Sequence, residues 1–317
     1  MVPLDCEPQG AVDADIMGFL SRSLCGIPYC AEIVRDLTKK AGGLFVYAKF
    51  AVDLFRNNPD LVDENLQKLQ ENSDAHALDK LYLTILHNAF PKCVLDSGTN
   101  RNHVQKVLAG TVLLQDRCSV HTLASLITVG AQHVREILLQ LNPVIHFDRS
   151  DPDSTVYPLH VSFSDFILSS ERCGDRNFYI DAQVYHRLFA TRCLSIMNQW
   201  EALCRNPLSL SNPSVFKNSI EDLPTRVKGY IPAVTQYACL HWATHLCASH
   251  RTQKDDPQLR GLLRTFCSEK LLVWLEALSF MDRLDIAPTA LKNAHGTVRR
   301  ITQRPHLVIQ RRSHTLG

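Results

Sequence analysis

Apolar residues recur at helical spacing in five segments between residues 12 and 90, and turn-forming residues separate the segments. The second segment meets Gly42 and Gly43, which suit the left-handed conformation that ends a helix. Five helices with short connections predict a small helical bundle over residues 1–91. Their apolar faces are, in order, Ile16/Phe19/Leu20/Leu24, Ile33/Val34/Leu37, Leu44/Tyr47/Ala48/Ala51/Val52/Phe55, Leu61/Leu66/Leu69 and Leu78/Leu81/Tyr82/Ile85/Ala89.

A different order of elements is predicted for residues 92–170. Three segments have helical periodicity, and Ser119 is placed to cap the second of them. Two β-leaning stretches follow, joined by the turn-rich sequence DRSDPDS. Three helices followed by a hairpin is the order of a winged-helix domain. The helical segments are 102–114, 120–127 and 131–141, and the β-leaning stretches are 144–147 and 155–159.

The rest of the chain is again predicted to be helical. Helical periodicity fits residues 161–168, 181–198, 233–249 and 268–284, with polar or proline-bearing connections between them. The fold class is therefore mainly α: a helical bundle, a winged-helix domain with a small β-hairpin, then a second helical domain over 171–295. Periodicity ends at Gly296, so residues 296–317 are predicted to be a disordered basic tail.

Composition limits the location and the partners. Apolar residues make up 45% of the chain and charged residues 21%, as in folded soluble proteins. The net charge is +2, but the tail holds five arginines and no acid, which leaves −3 for the body and gives no electrostatic reason to expect nucleic acid or an anionic membrane. Eleven cysteines without a CxxC pair suit reduced thiols, and no signal peptide or membrane span is visible. A cytoplasmic location follows.

The nucleotide-binding motifs of enzymes are absent from the sequence. The nearest approach to GxxxxGK[ST], at residues 42–49, lacks the second glycine and lies within a predicted helix, whose hydrogen bonds would consume the backbone N–H groups. GxGxxG, GxSxG and a kinase catalytic loop are also missing. We therefore predict no enzyme activity, no catalytic residue and no cofactor.

Two clusters were weighed as chemical sites. Cys239, His241, His245 and Cys247 have a metal-like spacing, and the two histidines share a helix face, but at 100° per residue the cysteines point elsewhere. A metal-dependent hydrolase using these histidines is the less favoured interpretation; packed core residues are favoured, and no metal site is predicted.

The second cluster places Ser162, Ser164 and Asp165 next to His160. Catalytic triads are assembled from residues that are distant in sequence, so adjacency is weak evidence for nucleophilic catalysis. The favoured alternative is a strand end followed by a capped helix, with Phe163, Phe166 and Ile167 in the core.

DNA binding by the predicted winged helix can be judged by its charge. Residues 119–168 contain two arginines against five acids, a net charge of −3, and the hairpin turn is itself acidic. DNA-binding winged helices place Lys and Arg on the third helix and the wing to neutralise phosphates. We therefore expect no nucleic-acid partner, although a winged-helix nucleic-acid binder using the basic tail stays the alternative function.

Eight segments follow one another over residues 11–285: AVDADIMGFLSRSL, DLTKKAGGLFVYAKFAV, LDKLYLTIL, SVHTLASLI, VYPLHVSFSDFILSSERC, YHRLFATRCLSIMN, YACLHWATHL and LVWLEALSFM. Taken in this order, they resemble the fungal NACHT-type STAND proteins, a family of signalling NTPases. In such proteins a P-loop NTPase core precedes a small helical domain, a winged helix and a further helical domain, and repeats usually follow. The resemblance implies that this chain starts after the NTPase core and stops before the repeats, as a truncated, NLR-like piece.

The resemblance carries one residue over. LHVSFSDF matches the winged-helix motif in which STAND proteins direct a histidine toward the nucleotide phosphates, which makes His160 the candidate phosphate sensor if an NTPase core is supplied. An imidazole N–H can donate to a phosphate oxygen. The competing interpretation is a histidine at a strand end that bonds a neighbouring carbonyl. The implied function is regulatory signal transduction by protein interaction, with an NTPase core or a second copy as partner and with ATP or ADP only through that core.

Overall fold

The computed structural model of the protein describes residues 9–26, 30–41, 43, 45–57, 77–151, 154–213, 215–249 and 256–302. The described chain is mainly helical, as predicted, with one small sheet of three short strands. It separates into two compact units, residues 1–182 and 183–317. Among the described residues, no helix is both long enough and apolar enough to cross a membrane.

The first unit begins with helices only. Helices α1 to α4 bury the apolar faces that the sequence predicts, with Ile16, Leu37, Phe55 and Tyr82 almost fully inaccessible to solvent. Gly43 has a φ of 82°, the left-handed conformation expected there. The predicted helix with Leu61, Leu66 and Leu69 lies outside the described residues. The bounds are α1 Gln9–Ser23, α2 Cys30–Ala41, α3 Phe45–Asn57, α4 Ala77–Ala89 and α5 Lys92–Leu95.

The remainder of the first unit surrounds the sheet. Strand β3 is central, and both neighbours pair with it antiparallel, in the order β1-β3-β2. The bounds are α6 Gly98–Leu113, β1 Cys118–Ser119, α7 Val120–Ile127, α8 Ala131–Gln140, β2 Ile145–His146, β3 Thr155–Pro158, α9 Val161–Ile167 and α10 Ser170–Cys173.

Side-chain caps and one close approach fix α6 and α7. The Ser119 hydroxyl accepts from the N–H of Thr122, which confirms the predicted cap of α7. Gly110 lets α6 and α7 meet closely, because a Cβ there would overlap the buried side chain of Leu123. The sequence missed β1, since two residues are too few for alternation to be visible.

The segment after β3 folds as the favoured interpretation predicted. The strand ends at Pro158, His160 caps α9, and Phe163, Phe166 and Ile167 are buried. The interpretation of this segment as a strand end and a capped helix is therefore confirmed.

The regular elements in the described part of the second unit are all helices. Its core includes Trp242, Phe266 and Trp274, whose rings lie 4.9 to 5.9 Å apart, and Trp274 Nε1 donates to the carbonyl of Cys239 at 2.9 Å. Lys270 is buried, and its ammonium group donates to the carbonyl of Leu203 at 2.8 Å. A main-chain acceptor thus stabilises the buried charge. The bounds are α11 Ala182–Asn198, α12 Leu223–Tyr230, α13 Ala233–Ala248, α14 Pro257–Thr265, a π-helical turn Phe266–Lys270, α15 Leu271–Phe280 and α16 Ala287–Thr302.

Two features of the second unit differ from expectation. Helices α12 and α14 were not predicted; α14 starts at an Asp256 cap followed by Pro257, a start signal that the surrounding polar sequence obscured. Helix α16 continues to Thr302, so the first residues of the predicted tail are helical in the structure. Residues 303–317 lie outside the described residues, and the disordered tail stays a prediction. The division at residues 91 and 170 stays a prediction.

Candidate functional site

The candidate sensor His160 stands at the start of α9, where the chain leaves β3. Its backbone is extended (φ −144°, ψ 143°), and its Nδ1 accepts from the N–H of Ser162 at 3.1 Å, which caps the helix. The Ser162 hydroxyl lies 2.6 Å from the same Nδ1. The partner is thus an amide N–H and a hydroxyl, not the neighbouring carbonyl of the competing interpretation.

A third group extends this contact into the core. The hydroxyl of Tyr82, on α4, lies 2.7 Å from the hydroxyl of Ser162. Tyr82 is fully buried, and its ring packs against Phe163 and Phe166 at centroid distances of 5.2 and 5.3 Å. Burial raises the pKa of Tyr82, so the phenol stays protonated and can donate.

The directions of these hydrogen bonds follow from the main chain. The Ser162 N–H can only donate, so Nδ1 of His160 must accept and carries no proton in the neutral ring. The Ser162 hydroxyl therefore donates to Nδ1, and the Tyr82 hydroxyl donates to Ser162. The ring proton is left on Nε2, which has no hydrogen-bond partner among the described residues, and the side chain is half-buried. The site thus offers one N–H donor.

An ion pair between a buried carboxylate and a partly exposed arginine lies beside this chain of hydrogen bonds. Arg172 Nε donates to both carboxylate oxygens of Asp79 at 3.1 Å, and its Nη2 donates to Oδ1 at 2.7 Å. Asp79 is buried, and its hydrogen bonds raise the pKa of Arg172 further. The pair joins α4 to α10, so α4 is attached to the segment that follows His160.

This arrangement does not favour nucleophilic catalysis. His160 and Ser162 are in contact, as a base and a nucleophile would be, but the Ser162 oxygen is tied to the buried Tyr82. Asp165 is exposed and makes no hydrogen bond to His160. A cavity of about 210 Å³ is lined by Ser164 together with α6, β1 and β3, and neither His160 nor Ser162 borders it. The structure does not bring the three triad residue types together.

The histidines of α13 lie in the core of the second unit. His245 is fully buried; its Nδ1 lies 2.8 Å from Nδ1 of His186 and its Nε2 lies 2.7 Å from the hydroxyl of Tyr237, so both nitrogens are used. Burial, followed by the neighbouring histidines, lowers the pKa of His245 to about 3. Across the described part of the chain, no three His, Cys, Asp or Glu residues are placed to hold a metal ion.

The hairpin turn is acidic where it is described. Asp148 accepts from the N–H of Ser150 at 2.8 Å and from its hydroxyl at 2.6 Å, and these bonds lower the pKa of Asp148. The guanidinium of Arg135, on α8, lies 5.9 Å from the ring of Phe147. The turn therefore presents negative charge where a DNA-binding wing would need positive charge.

Sequence reasoning missed Tyr82, Asp79 and Arg172. Tyr82 was assigned only to an apolar face, and a hydroxyl with a partner 80 positions away leaves no local signal. The sequence offered one hint of these contacts: Asp79 and Tyr82 are three residues apart, so they lie near each other on α4. Searches of protein-family models, curated proteins and solved structures return no match to this chain.

Proposed function

We propose that this chain is a non-catalytic regulatory segment of a NACHT-type STAND signalling protein, acting in the cytoplasm through protein partners. Residues 92–170 serve as its winged-helix domain, and His160 is the residue that senses a nucleotide phosphate held by a separate NTPase core. ATP or ADP reaches the chain only with that core.

The observation that carries the proposal is the prepared donor of His160. Nδ1 is engaged by Ser162, and the Nε2 proton faces no described residue. A neutral, oriented N–H at the end of a strand suits an anionic phosphate oxygen, and it needs no rearrangement on binding.

The surrounding elements support the winged-helix part of the proposal. The order is helix, strand, two helices and two strands, with β3 between β1 and β2. The short strand β1 supplies the third strand of such a sheet, and α8 occupies the position of the third helix.

The action of the segment is mechanical. A phosphate that hydrogen-bonds to His160 in one nucleotide state and not in another stabilises one arrangement of the segment against the core by that difference in binding free energy. The chain contributes the donor and its rigid support, while hydrolysis belongs to the core.

The first experiment measures phosphate release and ADP binding by the purified chain. We expect turnover equal to a protein-free blank and no tight ADP binding. Turnover above the blank that is lost in His160→Ala would overturn the proposal and return Ser162 to consideration as a nucleophile.

The second experiment supplies the missing partner by fusing a NACHT-type P-loop core in front of the chain. His160→Ala should weaken ADP binding about tenfold or more, because a hydrogen bond to a charged group contributes roughly 1.5–3 kcal/mol. His133→Ala, at a half-buried histidine on α8, is the matched control. Equal ADP affinities in all three fusions would refute the sensor.

A nucleic-acid binder that uses the basic tail remains the competing function. DNA affinity that falls steeply with salt would favour it, since each neutralised phosphate releases a counterion. The acidic turn of the hairpin argues for weak, salt-insensitive association instead.

A further inference from the structure

The chain of hydroxyls behind His160 has a property that the contact between His186 and His245 lacks. In the pair of His186 and His245, either Nδ1 can carry the shared proton, so two arrangements are possible. At His160 the main-chain N–H of Ser162 excludes a proton on Nδ1 in the capped state. The direction of every bond back to Tyr82 is then determined.

We infer that Tyr82 and Ser162 are positioning residues that hold the His160 imidazole in one orientation, as the tautomer with its proton on Nε2. The phenol of Tyr82 donates to the Ser162 oxygen, and this bond polarises the Ser162 hydroxyl so that it donates more strongly to Nδ1. The Ser162 hydroxyl is left to donate to Nδ1. Tyr82 thus acts on His160 only through Ser162.

Tyr82 and His160 are far apart in sequence, so the positioning of His160 by Tyr82 depends on a tertiary contact. Tyr82 belongs to α4, while His160 and Ser162 belong to the start of α9, 80 residues later. The phenol is fixed by Phe163 and Phe166 and its helix by the ion pair of Asp79 with Arg172. The role of the fixed Nε2–H donor in phosphate binding rests on the proposed function. The hydrogen bonds from Tyr82 through Ser162 to His160 are independent of that function.

The test observes the ring nitrogens of His160 by NMR on the whole chain labelled with ¹⁵N-histidine, at about pH 8. His160→Gln assigns the signals among the fourteen histidines. We expect an unprotonated Nδ1 that accepts hydrogen bonds and a protonated Nε2. In Ser162→Ala both signals should move toward each other, with the tautomer ratio changing about fivefold for the loss of one hydrogen bond.

A double substitution separates positioning from packing. Tyr82→Phe keeps the ring against Phe163 and Phe166 and removes only the hydroxyl; it should shift Nδ1 in the wild-type background and have no further effect in the Ser162→Ala background. Tyr157→Phe, a tyrosine stacked on His146, is the control and should leave the His160 signals unchanged.

Three results would overturn the inference: a protonated Nδ1 in the wild-type chain, no shift in Tyr82→Phe, or equal shifts in both backgrounds. If the spectra come out as expected while His160→Ala leaves the ADP affinity of the fused core unchanged, the relay stands and the proposed function fails. If His160→Ala lowers the ADP affinity but the spectra do not respond to Tyr82→Phe, the proposed function stands and the inference about Tyr82 fails.

Discussion

Acid should destabilise the second unit through His245. This imidazole is fully buried, and its neighbours His186 and Tyr237 occupy both ring nitrogens. Protonation would place a charge in the core and would disrupt at least one of these hydrogen bonds. The fold therefore favours the neutral ring, and the pKa of His245 falls to about 3.

The sign and size of the effect follow from proton linkage. The folded pKa of about 3 lies below the unfolded value of 6.5, so the unfolded chain binds the proton first. The stability due to the neutral ring is fully present above pH 6.5 and is lost as the pH falls toward 3. One proton costs about 1.4 kcal/mol per pH unit, so lowering the pH from 7 to 5 should remove about 2 kcal/mol of unfolding free energy. Burial also lowers the pKa of His186, which acts in the same direction.

Tryptophan fluorescence can measure this change in the second unit alone. The chain has three tryptophans, Trp200, Trp242 and Trp274, and all lie within residues 183–317. Trp242 and Trp274 are buried, so urea unfolding changes their environment. Unfolding free energies of the wild-type chain and His245→Gln should be compared at several pH values between 7.5 and 5, with His295→Gln, at an exposed histidine of α16, as control.

The test compares how steeply the unfolding free energy depends on pH in the wild-type chain and in His245→Gln. The exposed carboxylates titrate alike in all variants, so their effect cancels in the difference. We expect His245→Gln to be less stable at pH 7.5, and its unfolding free energy to depend less steeply on pH, by the equivalent of about one proton. His295→Gln should keep the wild-type slope. Identical slopes for the wild-type chain and His245→Gln would refute the reasoning.

Three further predictions concern the first unit and can be checked by urea unfolding followed by circular dichroism. Arg172→Met should cost about 2–4 kcal/mol, because it removes the guanidinium that donates to the buried carboxylate of Asp79; the partial exposure of Arg172 limits the loss, and adding Asp79→Asn should recover part of it. Gly110→Ala should destabilise by about 1–2 kcal/mol through overlap with a leucine of α7, whereas Gly18→Ala, which meets no close atom, should stabilise by about 0.5–1 kcal/mol. Ser119→Ala should cost about 1 kcal/mol by removing the cap of α7; no loss would mean that the strand pairing of β1 fixes this turn alone.

The helices were predictable where an apolar face has the helical period and ends at a visible signal. The face of α3 and the cap at Ser119 are both local patterns, and the structure has them as the sequence indicated. Helix α12 was missed because its sequence LPTRVKGY buries only Val227 and shows no apolar stripe. Strand β1 was missed because its pairing with β3 is decided by residues 37 positions or so apart, a separation at which periodicity carries no information.

The sequence predicted one residue of the candidate site, His160, but not the residues that hold it in place. His160 came from the motif LHVSFSDF, and its contact with Ser162 follows from the helix start that the same motif encodes. The partners on α4 could not be found in this way, because Tyr82 and Asp79 meet α9 and α10 only after the chain has folded. Tertiary contacts between polar groups leave no periodic trace in the sequence.

These contacts also bear on how a signal could reach His160. Asp79 and Tyr82 satisfy their buried polar groups on α10 and α9, and His87 Nε2, further along α4, lies 3.3 Å from Oδ2 of Asp175. Pulling α4 away would separate a buried carboxylate from its arginine and break the hydrogen bond of Tyr82. We therefore expect α4 to move together with α9. Under the proposed function, a displacement of the helices before α4 then moves His160 as well, and Tyr82→Phe should weaken this coupling without removing His160 itself.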